Sequence, residues 1–201
     1  MNTIQMFYDK YAEDFSKSRF RIWKQIQIFL DGLSAHSSVI DIGCGNGKNM
    51  LYRRDLNIVG LEYSQELCRI CHLSNLNVIQ GDARRLPFSD SSMDAAIMIA
   101  VIHHLEPDEH HIVLNEINRV LRQNGTCLIS NWAVEQPSYS KRTFHSGLNI
   151  VKWKNKEDEP LKYWVMDEKD AMQFVDKLPS TLKCITKQLD EGNWYFLLQK
   201  S

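Results

Sequence analysis

The sequence predicts an α/β protein, a mostly parallel sheet that ends in an antiparallel hairpin and is preceded by helices. Three observations predict it. From Ser38 to Trp132, short β-branched runs alternate with longer helix-period segments, the pattern of parallel strands joined by crossover helices. Three successive strand-sized runs end at an acid, Asp41, Glu62 and Asp82. Near the C-terminus, two apolar runs flank Glu191-Gly192-Asn193, which reads as a hairpin turn and not as another crossover.

The elements follow in chain order. Helices are expected over residues 4–15 and 19–30, placed to lid whatever the sheet binds. The strands read as "SVIDIG", "NIVGLE", "NVIQG", "MDAAIMIA" and "GTCLISNW". Helices should start at about Gly47, Ser64 and Asp108, the last running to Arg122 and stopped by Asn124-Gly125. An irregular basic insertion follows. "DEKDAMQFVDKL" then reads as a helix capped by Asp167, before the terminal hairpin. No repeat or long linker divides the chain, so residues 1–201 are expected to form one domain of seven strands.

Composition narrows the function classes. With 43% hydrophobic and 24% charged residues, 201 residues can bury a full core without staples. No apolar run is long enough for a signal peptide or spanning helix, and five cysteines argue for reduced thiols. The expected location is the cytoplasm, with the nucleus as a second. Cys68, Cys71 and His72 spell a CxxCH string, but it falls on a predicted helix with no second CxxC, so a packing role is expected and no metal site. Net charge is −1, yet Lys17, Arg19, Arg21 and Lys24 cluster without acids, as do Lys141, Arg142, Lys152, Lys154 and Lys156 among Tyr139, Phe144 and Trp153. Such clusters suit phosphates and stacked bases, or are simply solvated loops.

The chemistry centres on "VIDIGCGNGKNM". A strand ending in Asp41 that turns through Gly43, Cys44, Gly45 and Gly47 puts a side-chain-free backbone at the carboxyl edge of the sheet, where ligands bind. Dinucleotide binding wants glycine where Lys48 stands. The spacing instead favours an S-adenosylmethionine loop. Glu62 at the next strand end can accept both ribose hydroxyls, with Tyr63 beside it. Asp82 can accept from the adenine amino group, and the Ala83 backbone can meet the ring edge. Ala100, at the end of the fourth strand, completes the expected cofactor set.

Over roughly residues 8–200 the chain resembles class I methyltransferases, whose Rossmann-like sheet has seven strands. "SKSRFRIW", "IAVIHHL", "EINRVLRQNG" and "NWAVEQ" are similar to the eukaryotic tRNA methyltransferases that esterify 5-carboxymethyluridine at the wobble position. The resemblance implies methyl transfer to that carboxylate in the tRNA anticodon loop. It also implies a heterodimer with a small zinc-binding activator protein, on the edge strand near Asn77 to Gln80. Two departures stand out. Glu62-Tyr63-Ser64 replaces the family's Asp-Arg-Ser, and Asn131 replaces a branched apolar residue before Trp132.

A carboxylate acceptor is ionised at neutral pH and needs no general base, so positioning should dominate. Arg19 is expected to pair with the carboxylate, His103 to line the acceptor pocket, and Trp132 to stack on the base; these three are the expected catalytic set. Tyr63, Lys141 and Arg142 are expected to bind substrate, the last two gripping the anticodon-loop backbone. Two alternatives remain at this level. A small hydroxyl or amine acceptor would require His103 as base, and a non-catalytic methyltransferase-fold subunit would require no turnover.

Overall fold

A computed structural model describes residues 3–153 and 156–201, with the side-chain surroundings of 156–159 outside the description. The elements are α1 (Thr3–Lys10), α2 (Ala12–Ser18), α3 (Lys24–Asp31), β1 (Ser38–Ile42), β2 (Asn57–Glu62), α4 (Gln65–Leu73), β3 (Val78–Gln80) and β4 (Met93–Ile99). A 3₁₀ turn (Ile102–His104), α5 (His110–Val120), β5 (Leu121–Trp132), β6 (Gly147–Trp153), β7 (Lys156–Val165), α6 (Glu168–Asp176), β8 (Leu182–Asp190) and β9 (Asn193–Lys200) complete them.

Seven strands form one sheet in the order β3-β2-β1-β4-β5-β9-β8. The first five run parallel, and β9 lies antiparallel to both β5 and β8. Parallel central strands are covered on both faces. On one face β1, β4 and β9 meet α5 and α6 through Ile40, Met98, Phe196, Leu114, Ile117 and Phe174; on the other, Val39 and Ile97 meet Ile26 and Leu30 of α3. Strand order reverses between β1 and β4, which opens a crevice at their carboxyl ends. The parallel sheet and terminal hairpin are as the sequence predicted, and β3 is the edge.

Four expectations about helices need correction. No helix follows Gly47: i-to-i+3 bonds from Met50 N to Gly47 O and from Tyr52 N to Asn49 O carry the chain through successive turns to β2. Gly47 itself has φ +74°, which an α-helix cannot use. The helix expected over 19–30 begins only at Lys24. Asn46 Nδ2 donates to Ser16 O and Arg19 O, and Lys48 Nζ to Arg21 O, so contacts distant in sequence hold this segment out of a helix. The helix over 4–15 breaks at Tyr11. Finally, α5 stops at Val120, where Lys200 Nζ donates to the Asn118 and Leu121 carbonyls; Asn124, at φ +66°, is part of β5.

The basic insertion is ordered where irregular chain was expected. β6 and β7 form an antiparallel pair. Asn131, the departure noted above, ties this pair to the main sheet by donating from Nδ2 to Trp164 O at 3.1 Å. Lys154 lies outside the described residues, as do the side-chain surroundings of Lys156. The Asp167 cap is present, with Asp170 completing a capping box.

Candidate active site

The crevice at the switch point holds a cavity of about 180 Å³. Its floor begins with the glycine loop. Gly43 and Gly45 adopt φ of +70° and +60°, and a Cβ on Gly43 would stand 2.3 Å from Val101 Cγ2, so glycine is required there. Gly43, Cys44 and Gly45 line the cavity; Gly47 does not, and packs outward against Leu76 and Cys71. Glu62, 7% exposed, accepts from Gly45 N through Oε2 at 2.8 Å and from Tyr63 N and Ser64 N through Oε1 at 2.8 and 2.9 Å. Burial raises its pKa, and those three backbone donors oppose the rise. Glu62 therefore clamps the glycine loop to the start of α4 as well as lining the cavity beside Tyr63.

Asp41 is 1% exposed and sits beneath the cavity wall, not on it. Asn49 Nδ2 donates to its Oδ2 at 3.4 Å, and burial lifts the carboxyl to about 7. Asp41 Oδ1 and Asn49 Oδ1 are buried acceptors without a hydrogen-bond partner among the described residues. Asn49 lines the cavity. Two orphaned acceptors fit an ammonium donor such as the amino group of S-adenosylmethionine, because a buried unpaired acceptor is costly until a donor arrives.

The other end of the nucleoside site is formed by Asp82, Ala83 and Ala100, all on the cavity wall. Asp82 is not free: Arg84 holds both of its oxygens and also reaches Glu109, which pulls the Asp82 pKa below the usual carboxylate range although burial opposes this. Ala100 has φ +55°, a strained conformation for a residue with a Cβ, and its N–H is held by Ser130 Oγ at 3.0 Å.

Beyond Ala100 the wall turns aromatic. His103, 2% exposed, and His104 have ring centroids 4.3 Å apart, and the Tyr163 ring lies 4.4 Å from one and 5.0 Å from the other. Burial pushes both imidazoles down, His104 to about 4, so both are neutral at physiological pH. His103 Nδ1 is buried without a partner among the described residues. Trp132 closes this end, 5.7 Å from Tyr163 and edge-on to His103.

Arg19 lines the same end, its guanidinium 5.2 Å from the Phe15 ring centroid, with no ion pair to a described residue. Lys141 and Arg142 do not line the cavity; Arg142 lies at its rim, over Trp132. Sequence reasoning missed Tyr8, Phe15, Lys48, Asn49 and Tyr163, which all line it. Phe7, Tyr8, Tyr11 and Phe15 recur at helical spacing, a signal that pointed to one buried aromatic face. Lys48 is pushed down to about 8, first by burial and then by Arg19.

The CxxCH string has the packing role expected of it. Cys68 and Cys71 are buried on α4, Cys71 Sγ donates to Gly45 O at 3.2 Å, and His72 Nε2 meets Val78 O at 2.9 Å. Among the described residues no group of three or more His, Cys, Asp or Glu side chains is placed to hold a metal, and no helix is long and apolar enough to cross a membrane.

The sheet order, the glycine loop and the acids at adjacent strand ends are those of the class I methyltransferase fold, and residues 40–129 match the family model described as a methyltransferase domain. The sequence is similar to the tRNA (carboxymethyluridine(34)-5-O)-methyltransferases, the resemblance read from its motifs. Identity is 40% over 134 residues to the Mus musculus protein, 34% over 163 to that of Arabidopsis thaliana and 35% over 156 to that of Saccharomyces cerevisiae. These matches cover 66%, 81% and 75% of this chain but 20%, 38% and 56% of the relatives, so the chain spans about half the yeast protein and a fifth of the mouse one. Among solved structures, a Methanosarcina mazei S-adenosylmethionine-dependent methyltransferase superposes with TM-score 0.71 at 18% identity, covering 89% of this chain and 98% of that one. A Haloferax volcanii methyltransferase solved in complex with the Trm112 activator also gives 0.71 at 18% identity, covering 98% and 97%.

Proposed function

We propose that the protein methylates the carboxylate of 5-carboxymethyluridine at the tRNA wobble position, forming the methyl ester. One observation carries this reading. The acceptor end of the cavity combines a cation without an ion pair among the described residues, Arg19, with two histidines held neutral by burial. Such a pocket attracts an anionic acceptor and offers a poor general base. S-adenosylmethionine, held by the Gly43–Gly45 backbone, Glu62 and the orphaned acceptors of Asp41 and Asn49, supplies an electrophilic methyl group. Arg19 orients the carboxylate, Trp132 and Tyr163 bracket the base, and the aromatic wall excludes water. The names of the sequence relatives support tRNA as substrate. A hydroxyl or amine acceptor is the weaker reading, because burial holds His103 well below the range useful to a base.

A radiolabelled methyl-transfer assay on tRNA bearing carboxymethyluridine tests this. Label that mild alkali releases identifies an ester; alkali-stable label, or none, overturns the proposal. We further propose that a small zinc-binding activator extends β3, whose outer edge is unpaired in the sheet. The Haloferax volcanii neighbour, solved with an activator, supports it. A chain that is monomeric and fully active on tRNA without a partner would rule this out.

A further inference from the structure

Trp132 is the wall residue on which an acceptor base would stack, and one face of its indole is already covered. The Arg142 guanidinium carbon lies 4.3 Å from the ring centroid, where a stacked pyrimidine would sit. A chain of hydrogen bonds places it there. Gln136 Nε2 donates to Ala133 O at 2.8 Å and Gly192 O at 3.0 Å, fixing the exit of β5 against the β8–β9 turn. Its Oε1 accepts from Ser140 Oγ at 3.4 Å, and that hydroxyl accepts from Arg142 N at 3.2 Å. This gives the glutamine of the "WAVEQ" segment a physical task.

Arg142 is a solvent-exposed residue, yet partial desolvation of its guanidinium and then the nearby Arg19 lower its pKa while the Tyr163 hydroxyl opposes them, and it remains a cation. Neither arginine forms an ion pair with a described residue. Two uncompensated guanidiniums at one opening repel each other until an anion enters between them. A planar guanidinium can exchange an indole face for a bidentate carboxylate; an ammonium can cover the indole but pairs with a carboxylate only as a point charge.

Taking the acceptor to be the carboxymethyl pyrimidine proposed above, we propose that Arg142 is its specificity gate. It covers the Trp132 face against neutral bases, yields that face to a base that brings a carboxylate, and then pairs with the carboxylate alongside Arg19. The role differs from a grip on the RNA backbone, which would not depend on the base substituent.

The test is binding of synthetic anticodon stem-loops whose wobble uridine carries carboxymethyl or its neutral isostere carbamoylmethyl, read by fluorescence anisotropy on the full chain with S-adenosylhomocysteine present. The unaltered chain should prefer the carboxymethyl loop by about tenfold, the size of one charge-assisted pair. Arg142→Gln should weaken the carboxymethyl loop and bind the carbamoylmethyl loop at least as well as before, because the indole face is released. Arg142→Lys should restore part of the preference. Equal weakening of both loops, or an unchanged ratio in Arg142→Gln, overturns the gate while leaving the wobble-carboxylate reading intact. Absence of any preference in the unaltered chain removes that reading and the gate together.

Discussion

The Tyr8 hydroxyl stands 2.9 Å from His104 Nε2, so the first helix is fastened directly to the acceptor wall. One residue on, Asp9 Oδ1 accepts from the Ser64 hydroxyl at 2.6 Å and from Glu66 N at 3.2 Å. Two fasteners, one over each end of the cavity, hold α1 as its lid. Tyr8→Phe removes one of them without opening a void. S-adenosylhomocysteine affinity should fall about fivefold, the size of one hydrogen bond. Calorimetric titration reads this directly, and unchanged affinity would show that α1 does not close over the cofactor.

With cofactor bound, methyl transfer should not depend on a histidine titrating near neutrality. Burial holds His103 and His104 neutral, His104 at about 4, and the proposed acceptor is ionised throughout. At saturating cofactor and tRNA, kcat reports groups in the bound complex. It should change by less than about twofold between pH 8 and pH 6. A tenfold decline over that interval would instead identify a base and favour a hydroxyl or amine acceptor.

The cofactor half of the site was legible in the sequence because it is local. A strand, a glycine turn and the next strand's terminal acid sit within one stretch of chain, and backbone geometry dictates those residue types. The acceptor half was legible only in part. Arg19, His103 and Trp132 came from motifs, but Tyr163 reaches the wall by way of a hairpin that the charge-rich insertion disguised as irregular chain. Residues 19–23 kept helical spacing yet lost the helix to Asn46 and Lys48, partners distant in sequence. The missing helix after Gly47 has a local origin instead: the glycine takes a positive φ and the chain continues as turns.

Gly47 separates the structural from the binding role of the glycine loop. A Cβ there would meet Leu76 Cδ1 at 2.2 Å and Cys71 Sγ at 3.3 Å, at a φ of +74°. Gly47→Ala should therefore lose about 2–4 kcal/mol of stability from strain and overpacking combined. Because Gly47 does not line the cavity, the fraction that remains folded should bind S-adenosylhomocysteine within about threefold of normal, since less than 1 kcal/mol is at stake. Denaturant melts and titration at low temperature distinguish the two effects. Full stability in Gly47→Ala would show that Leu76 and Cys71 do not crowd this position.

Asp41 should trade stability for binding. Burial lifts its carboxyl to about 7, against about 3.9 in the unfolded chain. Between those values the folded chain holds a proton that the unfolded chain has released, so this group makes stability fall as pH rises from about 4 to about 7, with no further loss above. Asp41→Asn removes the charge and should stabilise the protein without cofactor by about 1–3 kcal/mol at pH 8, with the gain vanishing near pH 4. The same change removes the anionic acceptor that awaits the cofactor's amino group, and S-adenosylhomocysteine affinity should drop at least about tenfold. Melting curves at the two pH values, together with calorimetry, measure both. A variant less stable than the parent at pH 8 would show that the buried carboxylate is already compensated by the fold and is not held in reserve for the cofactor.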